Sequence, residues 1–344
     1  MFGSDNQAPA HPAVLQAMVA ANDGAAASYG ADRWSDEARA LIAATFGTAD
    51  LDIYFVATGG AANGLALSQL VRPWGAVVCA PDAHIIADEG SGPELFTGGA
   101  RLLPVGGPGT MIGPEELDAV HAAHPASFVH GMQPRAVSLT NLTETGRAWD
   151  PAQLARTCAR AHAHGWSVHV DGARFGNAVV ASGASPAALS WQAGVDALSF
   201  GLTKTGAAMA EAVILFGGAR TDPSLPYARK RAGQLVSKHR FLAAQFVAML
   251  QDDLWLRLAA DANAVAGALA EVFTAAGIEL VFETPGTARG NEVFARLDAR
   301  AQAALGDAGV SFYPWHAGGP GCCRFVAGWT ATEDQVRAVA RALG

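Results

Sequence analysis

The sequence is poor in charge and in cysteine, and both shortages exclude classes of protein. Only 16% of the 344 residues are charged and 51% are hydrophobic, so the chain can bury a large core. This length predicts two domains, or one large domain with a smaller appendage. The net charge of −8 argues against nucleic acid or an anionic membrane as the main partner. The four cysteines include no CxxC pair and indicate no disulfide framework.

Several catalytic and targeting signatures are also missing. Without HExxH, CxxC or clustered carboxylates, a dedicated transition-metal site is not expected, and without GxSxG neither is a serine hydrolase. The N-terminus has no basic segment followed by an apolar run, and no apolar stretch reaches the length of a membrane span. These absences predict a soluble, cytoplasmic protein.

Strand-like and helix-like segments alternate through the first two thirds of the chain. The apolar runs that predict strands are 52–57, 76–80, 101–105, 136–140, 167–171, 196–200 and 211–216. Helices are expected at 12–22, 35–46, 61–71, 114–124 and 151–164, and a further one starts near Ile85. Ser35 and Asp36 are the cap candidates of the second helix. This alternation predicts an α/β fold with a largely parallel sheet and helices on both faces, preceded by an N-terminal arm.

The pattern changes after Pro226. Residues 227–276 are almost continuously helical in pattern, with a break at 251–253. The segments that follow are short strands at 278–282, 291–297, 310–314 and 322–327 and helices at 299–308 and 333–343. Such a mixture is typical of a small α+β domain. We therefore predict a large domain over 1–250, which includes the arm, and a small C-terminal domain over 251–344.

Lys204 is one of only three lysines in the chain. It lies in a tight polar turn, GLTKTG, between the two predicted strands at 196–200 and 211–216. Partial loss of hydration among apolar neighbours would lower the pKa of its ammonium group. Such a lysine can act as a Schiff-base nucleophile, whereas the alternative is a lysine that extends from a loop into solvent.

Other polar segments also follow predicted strands. TGGAAN at 58–63 is either a phosphate cradle at a helix N-terminus or a tight turn, and its glycines do not match the GxGxxG spacing. Asp171 ends a buried strand at the sheet edge where ligands bind, and it either faces a cationic ring nitrogen or pairs with Arg174. His84 and His130 lie in loops and are either catalysts or hydrogen-bonded loop residues.

Taken in order, the motifs of this chain resemble a known family. The similar segments are SDN (4–6), HPAVLQAM (11–18), YGAD (29–32), TGGAAN (58–63), the segment around His84, NLTETG (141–146), HVDGAR (169–174), SFGLTKTG (199–206), KRAGQLVSKHRFLAAQ (230–245) and RFVAGW (324–329). They are similar to the low-specificity L-threonine aldolases, in the β-eliminating-lyase branch of the fold-type I pyridoxal-phosphate enzymes. The resemblance covers nearly the whole chain and implies an aspartate-aminotransferase-like fold for the large domain.

The resemblance implies how pyridoxal 5′-phosphate is held. Lys204 matches the lysine that binds the cofactor covalently, and Asp171 matches the partner that keeps the pyridinium nitrogen protonated. His84 matches an imidazole stacked on the ring, and Arg174 matches an arginine near the cofactor oxygen. The residues that match the phosphate loop are Gly59, Gly60 and Ala61. The family usually has threonine where this chain has Gly60, so one hydroxyl contact to the phosphate is missing.

Further residues are implied to contact the substrate. Ser4 and Arg324 match the groups that hold its α-carboxylate, and Arg174 lies close to it. His130 matches a histidine near the β-hydroxyl and is the first candidate for the base that removes its proton. The residues implied to reach a neighbouring subunit's site are Tyr29 and Lys230 or Arg231. This sharing of sites implies a homotetramer built as a dimer of dimers.

The implied activity is cleavage of L-threonine, L-allo-threonine or related β-hydroxy-α-amino acids to glycine and an aldehyde. An alternative with the same cofactor is β-elimination, and racemisation or transamination would also start from the same bound substrate. A non-catalytic binding protein is a further alternative, although retention of Lys204, Asp171, His84 and Arg324 argues against it. A nicotinamide oxidoreductase would explain TGGAAN but not Lys204.

Overall fold

A computed structural model describes residues 2–283 and 286–344 of the chain. Its main sheet has seven strands: β1 Leu51–Val56, β2 Gly75–Cys79, β3 Arg101–Pro104, β4 Gln133–Thr140, β5 Ser167–Gly172, β6 Ala197–Gly201 and β7 Glu211–Phe216. Every strand predicted for the first two thirds of the chain is present, with small shifts at the ends. The alternation of apolar runs and helical patterns therefore correctly predicted which segments form this sheet.

The strands lie in the order β1-β7-β6-β5-β4-β2-β3. The neighbouring strands β6, β5, β4, β2 and β3 are all parallel to one another. Strand β7 runs antiparallel to both of its neighbours, β1 and β6. The predicted, largely parallel α/β sheet is confirmed. The reversal at β7 follows from the short turn that joins it to β6, because a parallel neighbour requires a long crossover. As a result, the carboxyl ends of β1, β4, β5 and β6 share one edge with the start of β7.

Helices cover both faces of the main sheet. Their bounds are α1 Pro12–Ala21, α2 Arg33–Phe46, α3 Gly59–Leu70, α4 His84–Ala87, α5 Gly92–Thr97, α6 Pro114–Ala123, α7 Pro151–Ala163, α8 Phe175–Ser182, α9 Leu225–Arg231, α10 Arg240–Leu250 and α11 Leu254–Ala275. Alternate side chains of β7 show the two faces. Ile214 packs into a core with Phe46 of α2 and Phe246 of α10, whereas Val213 and Leu215 pack with residues of α3.

The predicted cap of α2 is wrong. The N-cap residue is Asp32, whose carboxylate accepts hydrogen bonds from the Ser35 N–H at 2.9 Å and the Ser35 hydroxyl at 3.0 Å. A capping side chain accepts a hydrogen bond from an N–H group two or three residues later in the chain. Ser35 already lies inside the first turn, so it donates to the cap and is not the cap itself. The buried Ser35 hydroxyl also lies 2.9 Å from His239 Nδ1.

A second, antiparallel sheet lies in the last third of the chain. Its strands are β8 Glu292–Arg296, β9 Tyr313–Pro314 and β10 Cys322–Val326, in the order β8-β10-β9, and its helices are α12 Ala299–Asp307 and α13 Glu333–Leu343. The strand expected at 278–282 is reduced to one bridge between Leu280 and Ala295, and β9 is shorter than expected. Phe282 has φ +65°, outside the extended region, which ends the predicted run.

The long helical segment contains both expected and unexpected breaks. The break at 251–253 is confirmed, with φ +52° at both Asp252 and Asp253, but residues 232–239 are also not helical. The run Arg240–Ala275 has 36 residues, and an 18-residue window within it has a mean hydropathy of 1.2, enough by length and composition to cross a membrane. The expectation that no stretch has this length is therefore corrected. Buried residues of α10 and α11 pack into the protein's own cores.

Helix α11 joins the two cores of the protein. Its first turns contribute Trp255 and Leu258 to the core under the main sheet, and its last turns contribute Leu269 and Phe273 to the core under the second sheet. Phe2 of the N-terminal arm also packs into this second core. The domain boundary between residues 250 and 251 stays a prediction.

Candidate active site

A cavity of about 520 Å³ opens at the edge of the main sheet where β1, β4, β5 and β6 end. Open α/β sheets bind their ligands at this edge. The arm and the region of the second sheet complete the walls. The predicted site residues that line the cavity are Ser4, Gly59, Gly60, His84, Asp171, Arg174, Lys204 and Arg324. The fold therefore brings together residues from the arm, the main sheet and β10.

Lys204 lies in the turn between β6 and β7, and its side chain lines the cavity. Two hydrogen bonds close this turn, from the Leu202 N–H to the Ala210 carbonyl at 2.9 Å and from the Ala210 N–H to the Thr203 hydroxyl at 3.1 Å. The Lys204 charge affects the pKa of acids and bases on four other segments, namely Asp5, His84, Glu211 and Glu292. Its amine is therefore close enough to act electrostatically on all four of these groups.

Asp171 is the first member of a chain of hydrogen bonds that ends at His84. Asp171 Oδ1 accepts from the Ala173 N–H at 3.0 Å, and Oδ2 accepts from Asn63 Nδ2 at 2.8 Å. Asn63 Nδ2 also donates to Glu89 Oε1 at 2.7 Å, and that oxygen lies 2.8 Å from His84 Nδ1. Asp171 is thus held in place without Arg174, so the alternative that the two form a structural pair is wrong.

The two histidines next to this chain of contacts have opposite pKa shifts. The hydrogen bond to Glu89 raises the pKa of His84 above its ordinary value, and burial opposes it only in part. His169 is fully buried between the hydroxyls of Ser138 and Ser199, each 2.9 Å away, and burial lowers its pKa to about 4. His169 is therefore neutral at pH 7 and joins β4, β5 and β6 directly beneath the Asp171 end of the sheet.

The first turn of α3 is the segment that the sequence predicts as an anion cradle. Thr58 is the N-cap, and its hydroxyl accepts a hydrogen bond from the Ala61 N–H at 3.3 Å. The Ala61 N–H is therefore already bonded within the turn. The backbone N–H groups of Gly59 and Gly60 make no hydrogen bond within the described residues and belong to a cavity-lining turn. Free N–H groups at a helix N-terminus bind anions. The predicted cradle therefore has the required geometry, without a side-chain hydroxyl at Gly60.

Arg174 is held by acids from the arm and from β8. Its Nε and Nη2 donate to Asp5 at 2.6 and 3.0 Å, and Nη2 lies 3.6 Å from Glu292 Oε1. Burial raises the pKa of Asp5, but the charge and hydrogen bonds of Arg174 more than offset this, so the net pKa lies below its ordinary value. This buried pair supports the cavity wall. The direct contact of Arg174 with a ligand stays a prediction.

Arg324 remains available to a ligand. Its guanidinium group stacks 4.8 Å above the Trp315 ring, and its Nη1 is 3.9 Å from Glu292 Oε1. Its buried Nε has no hydrogen-bond partner among the described residues, and the same holds for both carboxylate oxygens of Glu292. A buried guanidinium donor with no partner is costly, and a bound carboxylate would satisfy it.

Two predicted residues lie away from the cavity of their own chain. His130 is exposed in the loop before β4, and the eight residues of β4 put it about 25 Å from the cavity edge at Thr140. His130 therefore does not reach the cavity of its own chain, and its assignment as the base stays a prediction. Tyr29 is half exposed beneath the Lys230 ammonium group, 5.3 Å from its ring centroid. Its predicted contact with a neighbouring subunit stays a prediction.

Glu144 is a cavity residue that the sequence reasoning missed. Its Oε1 accepts from the Thr140 hydroxyl at 2.7 Å and from the His84 backbone N–H at 3.1 Å. Burial raises its pKa to about 7, and the Thr140 hydroxyl opposes the shift. A carboxylate with this pKa can exchange protons at neutral pH.

Other functional residues were missed for different reasons. Asp5, Asn63 and Glu144 lie within the SDN, TGGAAN and NLTETG segments, and for Asn63 and Glu144 their polar character just after predicted strands was an available signal. Glu211 begins an otherwise apolar strand, which was a signal too. Nothing in the sequence distinguishes Glu292 before β8 and β10 are paired.

The polar groups of the cavity match the parts of pyridoxal phosphate. The amine of Lys204 can bind its aldehyde carbon, the carboxylate of Asp171 can face its ring nitrogen, and the imidazole of His84 can cover its ring. The free N–H groups of Gly59 and Gly60 suit its phosphate. No cluster of metal-ligating side chains occurs in the part of the chain that the structure describes.

The contact between His84 and Glu89 can be tested directly. Substitution Glu89→Gln replaces the carboxylate whose hydrogen bond, and to a smaller extent whose charge, raises the His84 pKa, so the midpoint of the His84 titration should move to lower pH. The measurement is the ¹H–¹³C NMR titration of the histidines, with His162 as an internal control because its pKa is raised by Asp196 instead. An unchanged His84 midpoint would contradict this contact.

Known proteins resemble this chain in sequence and in fold. The β-eliminating lyase family profile matches residues 2–299. A low-specificity L-threonine aldolase of Pseudomonas aeruginosa is 39% identical over 341 residues, which cover 99% of this chain and 96% of that protein. The threonine aldolase of Leishmania major superposes with a TM-score of 0.91 at 26% identity, covering 99% and 98% of the two chains. The serine palmitoyltransferase of Sphingomonas wittichii shares the fold alone. It is 16% identical and superposes with a TM-score of 0.70, covering 99% of this chain and 85% of that chain. The chain therefore belongs to the β-eliminating lyase family.

Proposed function

We propose that this protein is a pyridoxal-phosphate-dependent aldolase that cleaves L-threonine and related L-β-hydroxy-α-amino acids to glycine and an aldehyde. The observation that carries the proposal is the convergence of Lys204, Asp171, His84 and the α3 cradle on one cavity. Relatives named as low-specificity L-threonine aldolases, which match nearly the full length of the chain, give the reaction class.

The cofactor supplies an electron sink for the negative charge that develops at Cα when a bond to that atom breaks. Lys204 holds it, and Asp171 keeps a proton at its ring nitrogen. Asn63 and the Ala173 N–H hold both oxygens of Asp171, so the carboxylate cannot rotate away. The hydrogen bond to Glu89 orients the imidazole of His84. These contacts need no rearrangement during turnover, which favours catalysis by preorganisation.

The substrate carboxylate binds at the other end of the cavity. Arg324, with its unpartnered buried Nε, is the group that pairs with it, and Trp315 keeps the guanidinium plane in place. Ser4 lines the same cavity and can add a hydroxyl contact. Arg174 supports this wall through Asp5. A carboxylate held at one end fixes how the bonds of the substrate's Cα are oriented in the cavity.

Glu144 is the group that accepts the proton of the substrate's β-hydroxyl. It lines the cavity, its pKa of about 7 suits a general base at neutral pH, and it contacts the segment of His84. The position of His130, at the far end of β4 in the same chain, also favours Glu144. Loss of this proton allows the Cα–Cβ bond to break and the aldehyde to leave.

A second candidate reaction is β-elimination, which the description of the matched family favours. It would use the same binding groups, and the substrate would lose its β-substituent instead of an aldehyde. The shared use of sites between four subunits, with Tyr29 and Lys230 or Arg231, stays part of the proposal, as does a cytoplasmic location.

The product formed from L-threonine distinguishes the two reactions. We expect acetaldehyde and glycine in equal amounts, because the Cα–Cβ bond is cleaved. Both are measured with the purified holoenzyme, with the variant Lys204→Ala as the inactive control. Formation of 2-oxobutyrate without glycine would contradict the aldolase and support β-elimination.

The role of Glu144 predicts a specific pH profile. Because its pKa is raised to about 7 and the ionised form is the base, kcat/KM should rise with pH and level off above about pH 7. Substitution Glu144→Gln should lower kcat about 100-fold or more and remove this acidic limb.

The matched control for this experiment is His130→Ala, which should keep the acidic limb of the profile. If Glu144→Gln retains both the limb and the rate while His130→Ala loses them, the proton acceptor is His130 of another subunit and our assignment fails.

A further inference from the structure

Glu211 is a buried acid directly beside the anion cradle. It begins β7, where it pairs with Val56 at the end of β1 and with Gly201 at the end of β6. A Cβ atom built on Gly59 would lie 3.7 Å from Glu211 Oε2, and one built on Gly201 would lie 2.7 Å from it. The carboxyl group thus occupies the space that these two glycines leave free, and it lines the cavity although the residue is only 6% exposed.

An ionised Glu211 would oppose the ligand that this cradle suits. A phosphate monoester carries nearly two negative charges at neutral pH, and a buried carboxylate next to it would repel it. Burial raises the pKa of Glu211 to about 7 even without a phosphate. The charged groups that face it are Lys204, which favours the ionised form, and Asp171, which favours the neutral form; the polar groups of Thr203 also favour ionisation.

We propose that Glu211 is a cofactor-binding residue that stays protonated in the holoenzyme and donates a hydrogen bond from its carboxyl group to the cofactor phosphate. This role deepens the proposed function and rests on its cofactor assignment. It also explains how the chain binds the phosphate with Gly60 in the cradle, since the acid proton of Glu211 replaces a side-chain hydroxyl donor. Within the cradle, the Thr58 hydroxyl accepts from the Ala61 N–H as the cap of α3, and its own O–H can be a second donor to the same phosphate.

The proton balance of this step follows directly. In the cofactor-free protein above pH 7, Glu211 is mostly a carboxylate. When a phosphate dianion binds, the carboxylate takes one proton from the buffer, and the new O–H donates to a phosphate oxygen. Binding should therefore consume up to one proton per site, and the affinity should fall by up to tenfold per pH unit above about pH 7.

A suitable probe is pyridoxine 5′-phosphate, an alcohol that cannot form a covalent bond with Lys204. Its binding to the cofactor-free full chain is measured by calorimetry at about pH 8 in buffers of different ionisation enthalpy, which gives the number of protons taken up. The test variant is Glu211→Gln, which is close in shape and is a permanent neutral donor. Lys204 and Asp171 are present in both proteins, so their contributions cancel in the difference.

We expect native protein to take up close to one proton more than Glu211→Gln, and the variant to bind the probe at least as tightly at about pH 8. The variant's affinity should also lose the steep dependence on pH. The matched control is Glu144→Gln, which removes another acid of similar pKa from the same cavity and should leave proton uptake as in the native chain.

Equal proton uptake by native protein and Glu211→Gln, or markedly weaker binding by the variant, would overturn the role of Glu211 while leaving the cofactor assignment intact. Failure of the native chain to bind the probe would overturn both. If the variant does not fold, the test is instead made on the native holoenzyme, by infrared spectroscopy of its protonated carboxylic acid groups. The absence of any protonated carboxylic acid band at about pH 8 would then overturn the proposal.

Discussion

The buried ion pair between Arg174 and Asp5 joins the parts of the molecule that make the cavity. Arg174 follows β5 of the main sheet, Asp5 belongs to the N-terminal arm, and Glu292 on β8 approaches the same guanidinium group. Asn291 also donates to Asp5 Oδ2 at 3.1 Å. Breaking a buried pair by removing one partner typically costs about 3–5 kcal/mol, because the other charge is left without compensation. The substrate end of the cavity therefore depends on this contact.

The cavity separates its acids by environment. Asp171 accepts two hydrogen bonds, and Asp5 is paired with Arg174, which holds the pKa of Asp5 below its ordinary value. Glu144 and Glu211 are buried with weaker compensation, and burial raises both pKa values to about 7. Acids in such different environments can serve different purposes. In our account, Asp171 holds a proton on the ring nitrogen, Glu144 moves one, and Glu211 keeps its own.

Local sequence patterns predicted the strands of the main sheet, the position of Lys204 in its turn and the tight turn that opens α3, because each depends on a few adjacent residues. The prediction was weaker where a residue's role depends on distant partners. The pairing of Arg174 with Asp5 instead of Asp171 joins positions 169 residues apart. The location of Glu211 beside Gly59 appears only when β7 is placed antiparallel between β1 and β6. The separation of His130 from the cavity of its own chain was hidden for the same reason, since the direction of β4 decides which end of the strand meets the cavity.

The most direct test of this account is to find which residue carries the cofactor. The holoenzyme is reduced with borohydride, which makes the bond between cofactor and lysine permanent, and is then digested and analysed by mass spectrometry. The account predicts one labelled peptide, the one that contains Lys204. A label on Lys230 or Lys238, or no label on a protein that still turns over L-threonine, would contradict it.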